Sequence, residues 1–152
     1  MRLKILLGGL GTCLLLWPTK AWSDLPIQVN WRGSGGWGSK GAYCKLYDTK
    51  TIETHRGTVV SVDAVTPIPG MSEGLELQLK TDQETITVHL GPRWYVENQD
   101  IIFQPQDVIE VTGSRINCEG QRIMAAAQVR KGDQLVTLRD AKGRPLWVVT
   151  NP

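Results

Sequence analysis

Residues 75–92, LELQLKTDQETITVHLGP, contain the pattern that decides the fold of this chain. Every second residue from Leu75 to Leu79 is a leucine, and the intervening residues are polar. The same alternation returns from Ile86 to Leu90, after a short polar turn. Because the side chains of a strand point alternately to its two faces, a period of two predicts two strands with one buried face. The short connection predicts that the two strands form a hairpin.

The residues on either side of this hairpin continue the β pattern. Before it, residues 57–65 predict a strand in which Val60, Val62 and Ala64 share one apolar face. After it, Pro92 ends the strand, because proline has no N–H to donate to a sheet. The next residues, 93–99, predict one helical turn or a short helix.

Further strands are predicted beyond the helical link, separated by turn residues. They cover residues 107–112, 122–129 and 135–139, with a last segment at 146–149. Three strands, a short helix and then further strands is the order of elements in an OB fold. We therefore predict an all-β fold, a small five-stranded OB-like barrel with a short helix between strands three and four and extra C-terminal strands. A plain antiparallel sandwich or another small barrel is the alternative.

The first 23 residues have the features of a secretory signal peptide. Arg2 and Lys4 precede an apolar run, and the small residues Ala21 and Ser23 predict cleavage after Ser23. The run is too short to span a bilayer comfortably, so no permanent membrane span is expected after cleavage. We predict a periplasmic or secreted protein. Lipidation of Cys13 is the alternative, although the residue before it fits a lipoprotein signal poorly.

The remaining chain divides by composition into an arm and a domain. Residues 24–50 are predicted to be a glycine-rich, flexible N-terminal arm, and residues 51–152 to be the barrel domain. Glycine loses more conformational freedom on ordering than other residues, so such an arm forms regular structure at high cost. Trp31 and Trp37 in the arm either dock on the domain or contact a partner, and docking is the commoner fate of tryptophan.

Removal of the signal peptide changes the charge. The whole chain has a formal net charge of +2, whereas residues 24–152 carry fourteen basic and fifteen acidic residues. Acidic residues predominate in 24–114 and basic residues in 115–152. Attraction between these parts within one fold explains the asymmetry, and a basic face for an anionic partner is the alternative. The lack of a basic excess disfavours nucleic-acid binding.

Cys44 and Cys118 are the two cysteines outside the signal peptide. In an oxidising compartment two such cysteines are predicted to form a disulfide, which for a long loop stabilises a domain by roughly 4 kcal/mol. Two separate buried thiols are the alternative. Thiol catalysis is disfavoured because the sequence has no Cys-x-x-Cys motif.

Four runs of the chain resemble a known family. They are KLYD at 45–48, the stretch 54–62, LQLKTD at 77–82 and VHLGPRWY at 88–95. These runs resemble exported bacterial OB-fold proteins and are distantly similar to the domain of the magnetosome proteins MamS and MamX. The resemblance covers roughly residues 43–148 and implies a fold more than a function, because its motifs serve packing and turns. The haem-attachment motif Cys-x-x-Cys-His of part of that group is absent from this sequence, so the resemblance implies no haem or redox cofactor.

The segment 89–95 is the most distinctive candidate site. His89, Arg93, Trp94 and Tyr95 are the candidate ligand-binding residues, because an imidazole, a guanidinium and aromatic rings together suit an anion or a flat ligand. In the alternative interpretation Trp94 closes one end of the barrel, and His89 is solvated on the polar side of its strand.

The sequence contains no pattern of catalytic residues. There is no Gly-x-Ser-x-Gly motif, and Glu73 and Glu76 lie near a turn, where carboxylates are usually solvated. His55 and His89 are too few ligands for a metal site on their own. We predict a non-catalytic, exported binding or accessory module of the bacterial cell envelope, without cofactor or metal, whose partner is an envelope protein or a small ligand. The alternatives are a periplasmic metal or small-ligand carrier that uses residues 89–95, and a single-stranded nucleic-acid binder.

Overall fold

The computed structural model describes residues 35–147. The predicted signal peptide, Trp31 and the end of the predicted segment 146–149 lie outside the described residues. The described chain is all-β with short helices, as predicted, and its one α-helix lies between the third and fourth strands. The elements are 3₁₀ helices at Cys44–Leu46 and Thr49–Thr51, β1 (Ile52–Val65), β2 (Gly74–Lys80), β3 (Thr85–Pro92), α1 (Arg93–Val96), β4 (Val108–Cys118), β5 (Gln121–Lys131) and β6 (Gln134–Thr137).

The strands form one sheet, and backbone pairing joins the two halves of this sheet to each other. Its order is β3-β2-β1-β4-β5-β6, and these neighbours are antiparallel. In addition β3 pairs with β5 in parallel, at Val88 with Met124 and at His89 with Ala125. The pairings therefore connect β1, β2, β3, β5 and β4 in a closed circuit, and β6 extends the sheet beyond β5.

The predicted hairpin of β2 and β3 is confirmed. Leu77 pairs with Val88 and Leu79 pairs with Ile86, and all four side chains are buried. The connecting turn is held by the backbone N–H of Thr81, which donates to Glu84 O at 2.8 Å. Burial of these alternating residues on one face is what the period of two in the sequence requires.

The face predicted for Val60 is wrong. Val59 is fully buried and Val60 is 51% exposed. The register of β1 against β2 shifts between Val59 and Ser61, as a β-bulge does. Because a bulge inserts one residue without a partner, it reverses the faces of the residues before it. A strict period of two over residues 57–65 assumes a strand without a bulge, so it does not detect that shift.

A layer of aromatic side chains covers part of β2 and β3. Residues 35–50, which composition assigns to the arm, contribute Trp37, Tyr43 and Cys44 to the core, and Trp147 joins them from the other end of the described chain. Trp147 Nε1 donates a hydrogen bond to Trp37 O at 2.8 Å. The ring of Trp37 lies against Gly74, and a Cβ atom on Gly91 would come within 2.9 Å of Trp147. The indoles reach the backbone of the strands because neither position carries a side chain.

Substitution Gly74→Ala tests this packing. The added methyl group would collide with the Trp37 ring, and we expect the free energy of unfolding to fall by about 2 kcal/mol, as for overpacked cores. Urea denaturation measures the change.

The matched control is Gly120→Asn in the turn between β4 and β5. A Cβ there would meet no atom within 4 Å, and the φ of 78° is one that asparagine tolerates. We expect a loss of at most about 1 kcal/mol at this position, because asparagine adopts the left-handed conformation at a lower cost than most residues. Equal losses for the two variants would contradict the packing of Trp37 on Gly74.

Candidate functional site

His89 lies on the side of β3 that the sequence predicts, but it is not solvated. Its exposed fraction is only 4%. The ring of Tyr43 stacks on it, with centroids 5.9 Å apart and an angle of 23° between the planes. The Tyr43 hydroxyl and His89 Nδ1 form a hydrogen bond of 3.0 Å. The expectation of a solvated His89 is therefore wrong, because residues that precede β1 cover this end of β3.

The environment of His89 keeps its imidazole neutral. Burial lowers the pKa of His89 from 6.5 to about 4. Its Nε2 faces Oε1 of Glu76 at 3.8 Å, on the neighbouring strand. A carboxylate on that side favours the tautomer with hydrogen on Nε2, which leaves Nδ1 to accept the hydrogen bond from Tyr43. Burial and the nearby Asp63 carboxylate raise the pKa of Glu76.

The other three candidate residues are on α1, at the surface. Arg93 is exposed and pairs with two carboxylates, Glu73 Oε1 at 2.6 Å and Glu97 Oε2 at 3.0 Å. Trp94 is 44% exposed. Tyr95 is half-buried and contacts the rings of Trp94 and Trp147. The structure therefore brings Trp94 and Tyr95 together but does not bring His89 to the same surface.

Arg139 is another buried polar residue, and its burial has no local signal in the sequence. Its exposed fraction is 3%, and its guanidinium lies over the rings of Tyr47 and Trp147, 4.6 and 5.2 Å from their centroids. Arg139 Nη1 donates to Gly143 O at 3.0 Å. Within residues 35–147 no carboxylate forms an ion pair with it. Aromatic faces and a carbonyl group therefore stabilise this cation.

The structure does not contain the predicted disulfide. Cys44 and Cys118 are both free and buried. The thiol of Cys44 donates to Trp37 O at 3.1 Å, and the thiol of Cys118 donates to Pro67 O at 3.5 Å. Burial raises the pKa of both thiols, so neither is an activated thiolate. Each sulfur is held by a different carbonyl group, and a spacing of cysteines in sequence does not reveal such partners.

An open groove of about 450 Å³ lies between β1, β2, α1 and the segment after α1. Its apolar lining includes Val62, Leu75, Val96 and Phe103. Ile102, on the rim, is 69% exposed. No sequence motif marks this groove, because its residues come from four separate parts of the chain.

The residues beside the groove give it a negative charge. Asp63 lines it and is paired across the sheet with Glu76, so two carboxylates lie on adjacent strands. Like charges directly opposite each other destabilise a sheet. Arg93 also lines the groove, but it already pairs with Glu73 and Glu97, and no ion pair to Asp63 occurs in the part of the chain that the structure describes. The groove therefore combines an apolar lining with uncompensated negative charge.

Several other functional signals are weak in the described residues. Residues 35–147 contain no cluster of three or more histidine, cysteine or acidic side chains that could hold a metal ion. No helix in the same range is long and apolar enough to cross a membrane. The residues of β2 and β3 that face away from the buried leucines include Glu76, Gln78 and Thr87, whereas single-strand binding by OB domains uses aromatic stacking.

The chain is similar to a known protein family. The model of the MamS/MamX magnetosome protein family matches residues 51–136 of the chain. The match begins one residue before β1 and ends within β6, so it leaves out Trp37, Tyr43 and Trp147. No curated protein matches the chain.

Substitution His89→Gln tests whether the buried neutral imidazole makes the free energy of unfolding depend on pH. Between pH 6.5 and about 4 the unfolded state binds a proton at His89 and the folded state does not. The free energy of unfolding therefore falls as pH falls through this window, by on the order of 3 kcal/mol from this residue. We expect urea denaturation at pH 7 and pH 4 to show a smaller fall for His89→Gln than for the unsubstituted protein.

The control is Thr54→Val, because the exposed Thr54 hydroxyl bonds to Thr112 Oγ1 and its removal changes no titratable group. This variant should keep the pH dependence of the unsubstituted protein. If His89→Gln kept it as well, another group would be responsible.

Proposed function

The chain belongs to the MamS/MamX magnetosome protein family, and from this membership we propose that it is a non-catalytic binding module that docks on a protein partner. In this proposal the chain is exported to the cell envelope, and its closed circuit of strands is a five-stranded OB-like barrel. The parallel β3–β5 pairing and the position of α1 between β3 and β4 support the OB-like barrel. The predicted signal peptide supports export.

The groove beside α1 is the observation that carries the docking proposal. Ile102 exposes most of its side chain on the rim, and Val62, Leu75 and Phe103 line the groove without being fully buried. Exposed apolar surface that adjoins polar residues is typical of sites where a protein partner binds. A groove of about 450 Å³ is large enough for one or two apolar side chains of a partner segment.

The acidic pair beside the groove indicates the chemistry of the partner. Asp63 and Glu76 lie opposite each other, and the pKa of Glu76 is raised by burial and by Asp63. A lysine or arginine from the partner would relieve this repulsion, and complementary charge of this kind selects partners and orients them. We therefore propose a partner segment with an apolar side chain in the groove and a basic side chain next to Asp63.

The alternative functions have less support. A metal or ligand carrier based on residues 89–95 would need an accessible His89, whereas His89 is buried and its Nδ1 already bonds to Tyr43. A single-stranded nucleic-acid binder would need aromatic and basic residues on β2 and β3, whereas Glu76 and Gln78 are there.

Site-specific photo-cross-linking in the cells that produce the protein tests the docking proposal. A photoreactive amino acid at position 102 should give one discrete cross-linked product, because Ile102 is on the rim of the groove. The same experiment with Asp63→Lys should lose the product, because the basic side chain of the partner would then be repelled. Asp63 is exposed, so this variant should unfold at the same urea concentration as the unsubstituted protein, or a higher one.

The control position is Leu46, which is an exposed apolar residue that does not line the groove. A cross-linker there should give no such product. The docking proposal would fail if position 46 gave the same product, or if Asp63→Lys left the product at position 102 unchanged.

A further inference from the structure

Six side-chain rings are in contact one after another, from the surface to the interior. Neighbouring centroids are 4.9 to 6.1 Å apart, which is the separation of aromatic pairs in contact. From the surface inwards the rings belong to Trp94, Tyr95, Trp147, Trp37, Tyr43 and His89.

The two ends of this series, which we call the ring series, differ in environment. Trp94, at the outer end, is 44% exposed and accessible to a molecule in solution. Tyr43 and His89, at the inner end, are buried. Rings in van der Waals contact allow an electron to pass between them in short steps, so the series connects the surface with a buried phenol.

The inner end also holds an acceptor for the phenolic proton. Tyr43 donates its hydrogen bond to His89 Nδ1 at 3.0 Å. The Nδ1 atom of neutral His89 has the lone pair that can take this proton. Glu76 Oε1, 3.8 Å from Nε2, would stabilise the imidazolium that results.

We propose that the ring series carries a one-electron oxidation from Trp94 to Tyr43, and that His89 takes the proton that Tyr43 releases. This activity is independent of the docking function proposed above. The oxidant is a high-potential one-electron acceptor, such as a metal complex, that meets Trp94 at the surface.

The oxidant gains one electron from Trp94, and electrons move outwards along the series until Tyr43 has lost one. The O–H bond of Tyr43 breaks, and its proton forms an N–H bond at His89 Nδ1. The products are the reduced oxidant, a neutral tyrosyl radical and an imidazolium beside Glu76. A one-electron donor, such as a thiol or ascorbate, restores Tyr43 when His89 returns the proton.

Arg139 disfavours an oxidised Trp147, so the oxidation does not remain at that ring. Its cation lies 5.2 Å from the centroid of the Trp147 ring, without a carboxylate partner among residues 35–147. A second positive charge on Trp147 is unfavourable at this distance in a buried site. Once Tyr43 is oxidised and its proton has moved, the positive charge lies on His89, which faces Glu76 Oε1 at 3.8 Å, so the oxidation ends at Tyr43.

Packing alone accounts for the contacts between rings but leaves one feature without a reason. A hydroxyl–imidazole pair next to a carboxylate is not needed to fill a core, and burying polar groups costs free energy that apolar residues would avoid.

Laser flash-quench oxidation of the purified protein tests the proposal. The probe is photogenerated tris(bipyridine)ruthenium(III) in solution, and transient absorption and electron paramagnetic resonance detect the tyrosyl radical. We expect a tyrosyl radical in the unsubstituted protein and its loss in Tyr43→Phe, which keeps the ring but removes the O–H group. We also expect its loss in Trp94→Leu, because Trp94 is the exposed end of the series.

The matched control is Tyr47→Phe. Tyr47 contacts Arg139 but is not part of the ring series, so this variant should keep the signal. Urea denaturation of each variant shows that it is folded during the experiment. A signal that survives in Tyr43→Phe, or that is as strong in Trp94→Leu as in the unsubstituted protein, would overturn the proposal.

Discussion

The parallel pairing of β3 with β5 is the contact on which the rest of the structure depends. Only two residue pairs form it, Val88 with Met124 and His89 with Ala125, yet it joins the two halves of the sheet. Val88 and Met124 are fully buried, so the junction is part of the core. Because parallel strands cannot be linked by a tight turn, the chain leaves β3 and runs through α1, the segment after it and β4 before β5 returns beside β3. The groove lies beside the first part of this connection.

The same junction determines why an aromatic layer forms. His89 faces away from the buried leucines at the point where β3 meets β5, and Tyr43 covers it. Trp37 and Trp147 extend the cover over Gly74 and Gly91, and a hydrogen bond joins these tryptophans across 110 residues of sequence. Desolvation of His89 and of Arg139 opposes folding, whereas burial of the three large rings of Trp37, Tyr43 and Trp147 offsets it. The same layer of side chains therefore contains both the buried polar groups and the apolar rings that pack against them.

The candidate site was predictable in its parts but not in its arrangement. Trp94 and Tyr95 are adjacent in sequence and lie on one short helix, and their contact follows from that. His89 was placed on the correct face of β3, but its burial depends on Tyr43, which is 46 residues away. Trp147 and Arg139 gave no local signal, because their roles arise from contacts with residues such as Trp37 and Tyr47. The sequence likewise did not show that Cys44 and Cys118 are free thiols, because this depends on which carbonyl group each thiol reaches.

The sequence by itself determined the class of fold. The period of two from Leu75 to Leu90 defines the hairpin, since each side chain's face follows from its position along a strand. Pro92 ends β3 and a helix follows, also for local reasons. Only the tertiary structure decided that residues 35–50 contribute to the core, that the bulge at Val60 exposes its side chain, and that Asp63 faces Glu76 beside a groove. These features depend on pairing register and on contacts between distant segments, and neither has a periodic signature along the chain.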